Sequence, residues 1–272
     1  GAFTVFLYGF QLREEIYDLF EMATGTRLTT SYTRVGGLMR DLPDGFDKAV
    51  ARVLDQVDDV VKDTETLLNK NRIWHDRTKE VGVVSKEDAI SYGLSGPMAR
   101  ASGIDWDIRV KEPYSGYEDF DFDVVIALNG DVFDRYLVRL EEIRQSAKIC
   151  RQALDCMPSG DINIDPDHKL TLPPKDEVYN SIEGLIYHFE ITMPNRGMEP
   201  PVGESYVPTE SPNGELGFYI VSDGGRTPYR VRTRPPSFIN YSIFPKIMGG
   251  GMLSDAVAIL GSMNIIAGEL DR

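Results

Sequence analysis

Two long amphipathic stretches dominate the pattern of apolar and polar positions along the chain. Residues Asp41–Asn71 and Asp131–Leu154 place apolar side chains every three or four positions, with charged side chains between them. This period of 3.6 residues predicts two long helices that each bury one face. A similar stripe from Leu12 to Phe20 predicts a further helix, for which Gly25 is the C-cap.

Shorter patterns lie between the long helices. Ser85 and Asp88 resemble a capping box that opens a short helix ending at Tyr92. The β-branched run Val81–Val84 favours a short strand, and Asp119–Asp123 alternates in the manner of an exposed strand. The sequence between Gly93 and Asp123 is otherwise rich in loop-forming residues.

A small antiparallel β part follows a third helix near Glu177–Thr192. That helix is expected to face the core with Val178, Ile182, Leu185, Ile186 and Phe189. Ser205–Pro208, Leu216–Ser222 and Tyr229–Arg234 predict strands, and Asp223–Gly225 is a hairpin signal between the last two. The pattern therefore predicts a fold that is mainly α with a small antiparallel β part (α+β), in a single domain over residues 1–272.

The last stretch, Met248–Arg272, combines an apolar helix with a charged end. Leu253, Val257, Leu260 and Met263 recur at helical spacing, so this helix is expected to pack inside the body. Charge then returns in Glu269, Asp271 and Arg272. These groups must pair, meet water or line a cavity. An Asp–Arg pair that seals the helix end is the simpler interpretation of the residues alone.

Composition narrows the class of protein. The 272 residues are 42% hydrophobic with a net charge of −14, which argues against general nucleic-acid binding and against adhesion to anionic lipid. No apolar run reaches the roughly 18 residues that span a bilayer. Cys150 and Cys156 are interpreted as free, reduced core thiols of a cytosolic-type compartment. The chain begins with Gly1 in mid-pattern, which suggests a fragment of a longer protein.

Common catalytic motifs are missing from the sequence. It has no GxxxxGK[ST], GxGxxG, CxxC, HExxH or GxSxG pattern, so a phosphate cradle, an iron–sulfur cluster, a catalytic zinc and a serine triad lack support. His75 and His188 are expected to be packing residues. Arginines around Gly36–Gly37 suit an anion, a carboxylate or a cofactor edge, although an ordinary surface turn is the commoner origin of such a pattern.

The order of several longer motifs resembles the quinone-site large subunit of respiratory complex I. This family is known as the D or 49 kDa subunit of NADH–quinone oxidoreductase. The resemblance covers essentially the whole chain, through the motifs GAFTVFLYGFQLREEIYDLFE, SYTRVGGLMRDLPDGF, RASGIDWDIR, PYSGYEDFDFDV, GDVFDRYLVRLEEIRQS, PPVGESYVPTESPNGELGFYIVSDGGRTPYRVRTRPPSFIN and GELDR. It implies a missing, β-rich N-terminal portion whose hairpin carries a histidine and, with a tyrosine, holds the quinone head group.

The resemblance also implies a fold and an activity. The family shares the helical core of the nickel–iron hydrogenase large subunit, but this chain lacks the two cysteine pairs that hold the hydrogenase metal. The implied role is to form the quinone pocket of a proton-pumping NADH:quinone oxidoreductase, with electrons coming from an iron–sulfur cluster on a partner subunit. Other peripheral-arm and membrane-arm subunits are the further partners. The implied location is peripheral, at the cytoplasmic face of the inner (plasma) membrane.

Residue roles follow from the resemblance position by position. The residues that match the family's quinone pocket are Phe6, Phe10, Ile266, Glu269, Asp271 and Arg272. The residues that match positions near the partner's cluster are Arg34, Gly36 and Gly37. No catalytic residue and no metal ligand is expected in this chain alone, and the isolated fragment is expected to be inactive.

Two positions depart from the family pattern. Thr29 stands where the family commonly has a histidine whose protonation is coupled to the cluster, and Asn264 stands where an acid is frequent. Because threonine does not titrate, a lower and less pH-dependent cluster potential is expected, which suits a low-potential quinone or a donor other than NADH. Two alternatives remain open: a non-catalytic scaffold between the cluster-bearing partner and the membrane arm, and a subunit of a related membrane-bound hydrogenase.

Overall fold

The computed structural model describes residues 3–34, 36–164, 171–193 and 199–271, and these ranges are mainly helical. The helices are α1 (Phe3–Thr24), α2 (Phe46–Leu68), α3 (Arg72–Thr78), α4 (Lys86–Ser91), α5 (Pro97–Ala101), α6 (Ile108–Lys111), α7 (Val132–Asp155), α8 (Lys175–Asn180), α9 (Ile182–Thr192), α10 (Pro236–Tyr241), α11 (Phe244–Met248), α12 (Asp255–Met263) and α13 (Ala267–Leu270). The strands are β1 (Thr33–Arg34), β2 (Gly37–Leu38), β3 (Gly203–Ser211), β4 (Gly214–Ser222) and β5 (Arg230–Arg234).

The long helices predicted from the apolar period are confirmed as α1, α2 and α7. Helix α7 begins where expected, because the Asp131 carboxylate accepts a hydrogen bond from the Asp134 N–H at 2.8 Å. Helix α2 begins later than expected, after Gly45 in the left-handed conformation. These three helices pack on one another through buried residues that include Leu19, Val53, Val57 and Leu140.

A second apolar core lies among the shorter helices. Its fully buried residues are Met98 of α5, Ile243, and Ile259 and Met263 of α12. They pack with Val132 at the start of α7. The end of the chain is therefore anchored in the body through α12. No described helix is both long and apolar enough to cross a lipid bilayer.

The β part is a three-stranded antiparallel sheet in the order β3–β4–β5. The hairpin around Asp223–Gly225 is confirmed between β4 and β5. The strand predicted at Ser205–Pro208 is longer, since β3 pairs with β4 along its whole length from Gly203 to Ser211. The fold class is thus confirmed as α+β, and a second, two-stranded sheet is formed by β1 and β2.

Two predicted strands are wrong. Val81 and Val84 do not form a strand, because each makes one backbone hydrogen bond to the segment before α7: Val132 N–H donates to Val81 at 3.0 Å, and Val84 N–H donates to Gly130 at 2.9 Å. Asp119–Asp123 is not a strand either. It contains the end of a 3-10 turn, and the Asp121 N–H donates to the Gln152 side chain at 2.9 Å, so no neighbouring described strand pairs with it.

The helix predicted at Glu177–Thr192 is broken into α8 and α9 by extended backbone at Ser181. The prediction of which residues face the core is wrong for α9, because its apolar residues Ile182, Leu185, Ile186 and Phe189 are exposed. Gly184 is the buried residue of this helix. A Cβ there would lie 2.6 Å from the Glu177 carbonyl oxygen, so the two helices approach each other on the glycine side.

The prediction of the buried face is only partly correct for the terminal helix. Met263 is buried as expected, but Leu253, Val257 and Leu260 are exposed at 88%, 79% and 40%, and Ile259 is buried instead. Helix α12 is apolar on every side, so its sequence period does not determine which face packs inward.

The two cysteines do not occupy the predicted positions in the core. Cys150 and Cys156 are free, as expected, but both are exposed. Both lie at the outer side or end of α7, whose packing is supplied instead by residues such as Leu140 and Ala147.

Candidate functional site

The predicted pocket residues on α1 form an exposed aromatic face. The Phe3 and Phe6 rings are 5.7 Å apart and the Phe6 and Phe10 rings are 4.9 Å apart, measured between centroids. Phe6 is 55% exposed and Phe10 is 40% exposed, because α1 packs on α2 through Leu19 and its other apolar residues further along. The Arg13 guanidinium lies over the Phe10 ring at 5.5 Å. The start of α1 therefore presents a row of adjoining aromatic side chains to its surroundings.

The predicted residues of the tail surround the buried side chain of Ser237. The Glu269 carboxylate accepts a hydrogen bond from the Ser237 N–H at 3.1 Å, in the first turn of α10, and the Ile266 N–H donates to the Ser237 hydroxyl at 3.3 Å. A carboxylate at a helix N-terminus is stabilised by the free N–H groups there. Glu269 is half-buried and thus docks the tail on the body, whereas Asp271 is exposed. Arg272 lies outside the described residues.

The predicted cluster-facing residues lie on a tight hairpin. Arg34 of β1 pairs with Gly37 of β2. The hairpin is fixed by backbone hydrogen bonds on both sides, from Ile164 N–H to Gly36 at 2.8 Å and from Leu38 N–H to Ile162 at 2.9 Å. A Cβ at Gly37 would lie 2.1 Å from the Ile162 oxygen, so only glycine allows this approach. The Arg34 side chain is exposed and forms no ion pair with any residue that the structure describes.

The two positions that depart from the family pattern have structural surroundings of their own. Thr29 is exposed, and its carbonyl accepts a hydrogen bond from the Thr26 hydroxyl at 3.3 Å. Asn264 ends α12 in the left-handed conformation, which asparagine tolerates, and its amide donates to the side chain of buried Asn213. Asn264 therefore belongs to a polar network that holds the sheet against the end of the chain.

The structure thus places the predicted residues on three separate surfaces: the α1 face, the hairpin and the tail. Tail helix α13 packs on α10, while α1 packs on α2. A cavity of about 760 Å³ between α3, α7 and α12 is lined by none of the predicted residues. Within the described ranges, no group of three or more His, Cys, Asp or Glu side chains is arranged to hold a metal ion.

The sequence analysis missed a cluster of buried charges around Arg100. The Arg100 guanidinium donates to Glu142 and Glu210 at 2.8 Å each, and lies 3.6 Å from Asp107. Asp107 is also bound by Arg109 at 2.6 Å. The only signal in the sequence is a single arginine inside the short apolar run of α5, which periodicity does not distinguish from a surface residue.

Burial and ion pairing have opposite effects on the pKa values of this cluster. Burial lowers the pKa of Arg100, but the charges of Glu142 and Glu210 outweigh it and raise the pKa above its usual value. Burial would raise the pKa of Asp107, but hydrogen bonds from Arg109 and the charge of Arg100 bring it below its usual range. For Glu210, burial dominates and raises the pKa despite Arg100. The charges of the cluster therefore stabilise one another in place of the water that burial removes.

Comparison with known proteins defines the class to which the chain belongs. The family described as the 49 kDa subunit of respiratory-chain NADH dehydrogenase matches residues 1–272. The chain belongs to this family, and the resemblance inferred from its motifs is confirmed.

Individual relatives agree with this assignment. The D subunit of NADH-quinone oxidoreductase from Geotalea uraniireducens is 52% identical over 272 residues, which is all of this chain and 69% of the relative. The D subunit from Methylacidiphilum infernorum is 53% identical, and the chain covers 64% of it. The C/D subunit from Bdellovibrio bacteriovorus is 50% identical, and the chain covers 48% of that relative.

Proposed function

We propose that the chain forms part of the quinone pocket of a proton-pumping NADH:quinone oxidoreductase. In this role it accepts electrons from an iron–sulfur cluster on a partner subunit and delivers them to quinone, while holding no redox metal itself. Membership of the 49 kDa subunit family and the names of the relatives support the assignment. The isolated chain is expected to be inactive, because the cluster and the rest of the pocket belong to other parts of the complex.

The observation that carries the proposal is the exposed aromatic face of α1. Phe3, Phe6 and Phe10 contact one another in tilted pairs along one side of the helix and are left without an apolar cover by the described residues. Exposed aromatic groups of this kind mark interaction or ligand surfaces. An isoprenoid quinone is a suitable partner because its tail is apolar and its ring stacks on aromatic side chains.

The hairpin supports the cluster-facing role of Arg34, Gly36 and Gly37. The backbone bonds to residues 162–164 fix the hairpin, and the Arg34 guanidinium is exposed without an ion pair to any described residue. A cation near an iron–sulfur cluster favours its reduced, more negative form. In the tail, Ile266 supplies apolar surface, and Glu269 and Asp271 are the acids that would relay protons to reduced quinone.

The partners follow from the same proposal. They are the iron–sulfur-cluster subunit, other subunits of the peripheral arm, and subunits of the membrane arm at the cytoplasmic face of the inner (plasma) membrane. The Bdellovibrio relative, whose name combines C and D, supports a neighbouring position for the partner denoted C.

The test is to measure quinone reduction by the assembled complex in membranes after Phe6→Ala and Phe10→Ala. Each change removes an exposed aromatic ring that would contact quinone, so KM for quinone is expected to rise about fivefold or more. Phe20→Ala is the matched control, since Phe20 lies on the same helix and is 41% exposed. NADH oxidation with a hydrophilic artificial acceptor is expected to stay unchanged. An unchanged KM in both variants would contradict the proposal.

The alternative function is that of a scaffold, and the position of Glu269 favours it. The carboxylate is already used to hold the first turn of α10, which is a structural role. A scaffold predicts that Asp271→Asn and the two phenylalanine variants leave quinone kinetics unchanged while the complex stays assembled. A related hydrogenase subunit has less support, because Cys150 and Cys156 do not form cysteine pairs near the two chain ends.

A further inference from the structure

The cavity between α3, α7 and α12 has no place in the function proposed above. Its volume of about 760 Å³ is in the range of ligand pockets. Apolar side chains such as Leu68, Leu140 and Ala258 make up much of the lining, and Trp74 and Tyr136 contribute aromatic surface. The polar side chains of the lining include Arg77, Arg139, Ser254 and Ser262.

The polar groups that lack partners in this cavity are all hydrogen-bond donors. Arg139 lines the cavity, and its Nη1 donates to the Arg135 carbonyl at 3.3 Å. Its Nε and Nη2 are buried and find no partner among the described residues, and the same holds for Nε1 of Trp74. A buried donor without an acceptor costs about 1–3 kcal/mol, and more when it is charged. The acceptor groups among the described residues therefore leave these three donors unsatisfied.

No aspartate or glutamate of the described chain is among the residues that line the cavity. The acid that acts most strongly on Arg139 is Glu142, whose carboxylate is bonded to Arg100 at 2.8 Å. The other lining arginine, Arg77, is already paired with Asp255 at 2.8 Å. Burial lowers the pKa of Arg139 to about 10, against the raising influence of Glu142, so the side chain is still a cation at neutral pH. Among the described residues, this cation has no carboxylate of its own.

The rim of the cavity is apolar and exposed. Ile73 of α3 is 75% exposed and Val257 of α12 is 79% exposed, and both line the cavity opening on different helices. Leu253, just before α12, is 88% exposed. A ligand enclosed in the cavity would leave this rim uncovered, whereas a protein segment lying across it would bury the rim and reach Arg139 together.

We propose that a segment from a neighbouring subunit binds on this rim and inserts one aspartate or glutamate side chain into the cavity to pair with Arg139. Apolar residues on either side of that acid would cover Ile73 and Val257. The carboxylate would supply the acceptor that the Arg139 and Trp74 donors lack. The inference rests on the proposed function only in that a multi-subunit complex provides the neighbour.

The experiment uses the full-length protein in the assembled, membrane-bound complex, with a photoreactive phenylalanine analogue at Val257. Irradiation is expected to cross-link the protein to a different subunit, at a peptide with an aspartate or glutamate close to the linked residue. The same probe at Leu128, which is 83% exposed and is not among the residues that line the cavity, is the control for non-specific capture.

The second step tests the ion pair. Arg139→Gln is expected to lower the Val257 cross-link about tenfold, because it removes the charge that the inserted carboxylate needs. Arg72→Gln is the matched control, since Arg72 lies on α3 but its side chain is 92% exposed. Trp74→Phe keeps an aromatic ring, although a smaller one, and removes the indole N–H donor. It is expected to lower the yield about threefold even if Arg139→Gln fails to fold. Charge exchange between Arg139 and the linked acid is expected to restore the cross-link.

Several outcomes would overturn the inference. The inference is wrong if Val257 cross-links only to its own chain or to a second copy. It is also wrong if the cavity releases a bound fatty acid, or if folded Arg139→Gln gives an unchanged cross-link yield. The same membranes are assayed for quinone reduction. Wild-type complex that reduces quinone but gives no cross-link between subunits contradicts this inference alone, whereas a protein that assembles with no partner contradicts the proposed function.

Discussion

Arg100 and Arg139 are both buried cations, but they differ in their ion pairs. Arg100 is bound by Glu142 and Glu210 and lies beside Asp107, so each desolvated charge has opposite charges around it. Arg139 is withdrawn from solvent with two nitrogens that no described residue pairs. The ion pairs of Arg100 are complete within the chain. Because an unpaired buried charge is costly, Arg139 requires a partner from outside the described residues.

The pKa of Asp107 gives a prediction for the acid stability of the protein. Its folded-state pKa lies below the unfolded value of about 3.9, so its contribution to stability is present above that pH and is lost as the pH falls through the folded pKa. Asp107→Asn is expected to lower the unfolding free energy at neutral pH by about 1–3 kcal/mol and to reduce its fall below about pH 4.

Urea unfolding of the purified protein between about pH 3 and pH 7 measures both effects. Asp105→Asn is the matched control, because Asp105 is on the same loop with its side chain 60% exposed, where it makes only a long contact with Lys111. An identical acid dependence in wild type and Asp107→Asn would contradict the assignment of this stability to Asp107.

At the scale of the elements, the sequence predicts a helix well where one face is apolar over many turns. Helices α2 and α7 run for 23 and 24 residues and bury Val53, Val57 and Leu140 as their period indicates. In α12 the apolar residues surround the helix, and only tertiary packing selects Ile259 over Val257 as the buried residue. Short elements such as β3 are extended or broken by contacts that are distant in sequence, which local patterns do not contain.

The candidate site can also be predicted only in part from the sequence. The resemblance supplies the residues, and the local pattern Arg34–Gly36–Gly37 correctly indicates a tight turn. It does not indicate that the Glu269 carboxylate holds the first turn of α10, because that contact depends on Ser237. The Arg100 cluster escapes prediction for the same reason, since its members are brought together only by the fold.

A close backbone approach joins Gly96 at the start of α5 to Gly214 at the start of β4. A Cβ at Gly96 would lie 2.4 Å from the Gly214 Cα, and the φ of Gly96 is +64°. Gly96→Ala is expected to destabilise the protein by about 3 kcal/mol or more, from backbone strain and from displacement of the sheet.

Thermal unfolding followed by circular dichroism measures the loss. Gly45→Ala separates the two causes, since Gly45 has a φ of +79° but no atom within 4 Å of its Cβ position. It is expected to cost about 1–2 kcal/mol, from strain alone. Equal losses in the two variants would show that the approach to Gly214 carries no cost.

At the scale of the whole molecule, the sheet and the helices are joined by buried polar groups. Asn240 of α10 donates to the Asn213 carbonyl at 3.1 Å and its side-chain oxygen accepts from the Ser95 N–H at 3.3 Å. Arg100 of α5 connects Glu142 of α7 with Glu210 of β3. Several of these contacts link parts of the chain that are distant in sequence, so they hold the sheet in one position relative to the helices.

Loss of Arg100 should therefore weaken the molecule as a whole. Arg100→Met keeps an apolar stem of similar length but leaves Glu142, Glu210 and Asp107 without their shared cation, and breaking a buried pair from one side costs about 3–5 kcal/mol. Arg144→Met is the control, because Arg144 also joins two acids, Glu65 and Glu141, but its side chain is 31% exposed. Its loss is expected to cost about 1 kcal/mol or less.

Urea unfolding of both purified variants gives the comparison, and equal midpoints would mean that the buried cluster does not hold the sheet to the helices. A loss confined to Arg100→Met would identify this side chain as a buried connection between α5, α7 and β3.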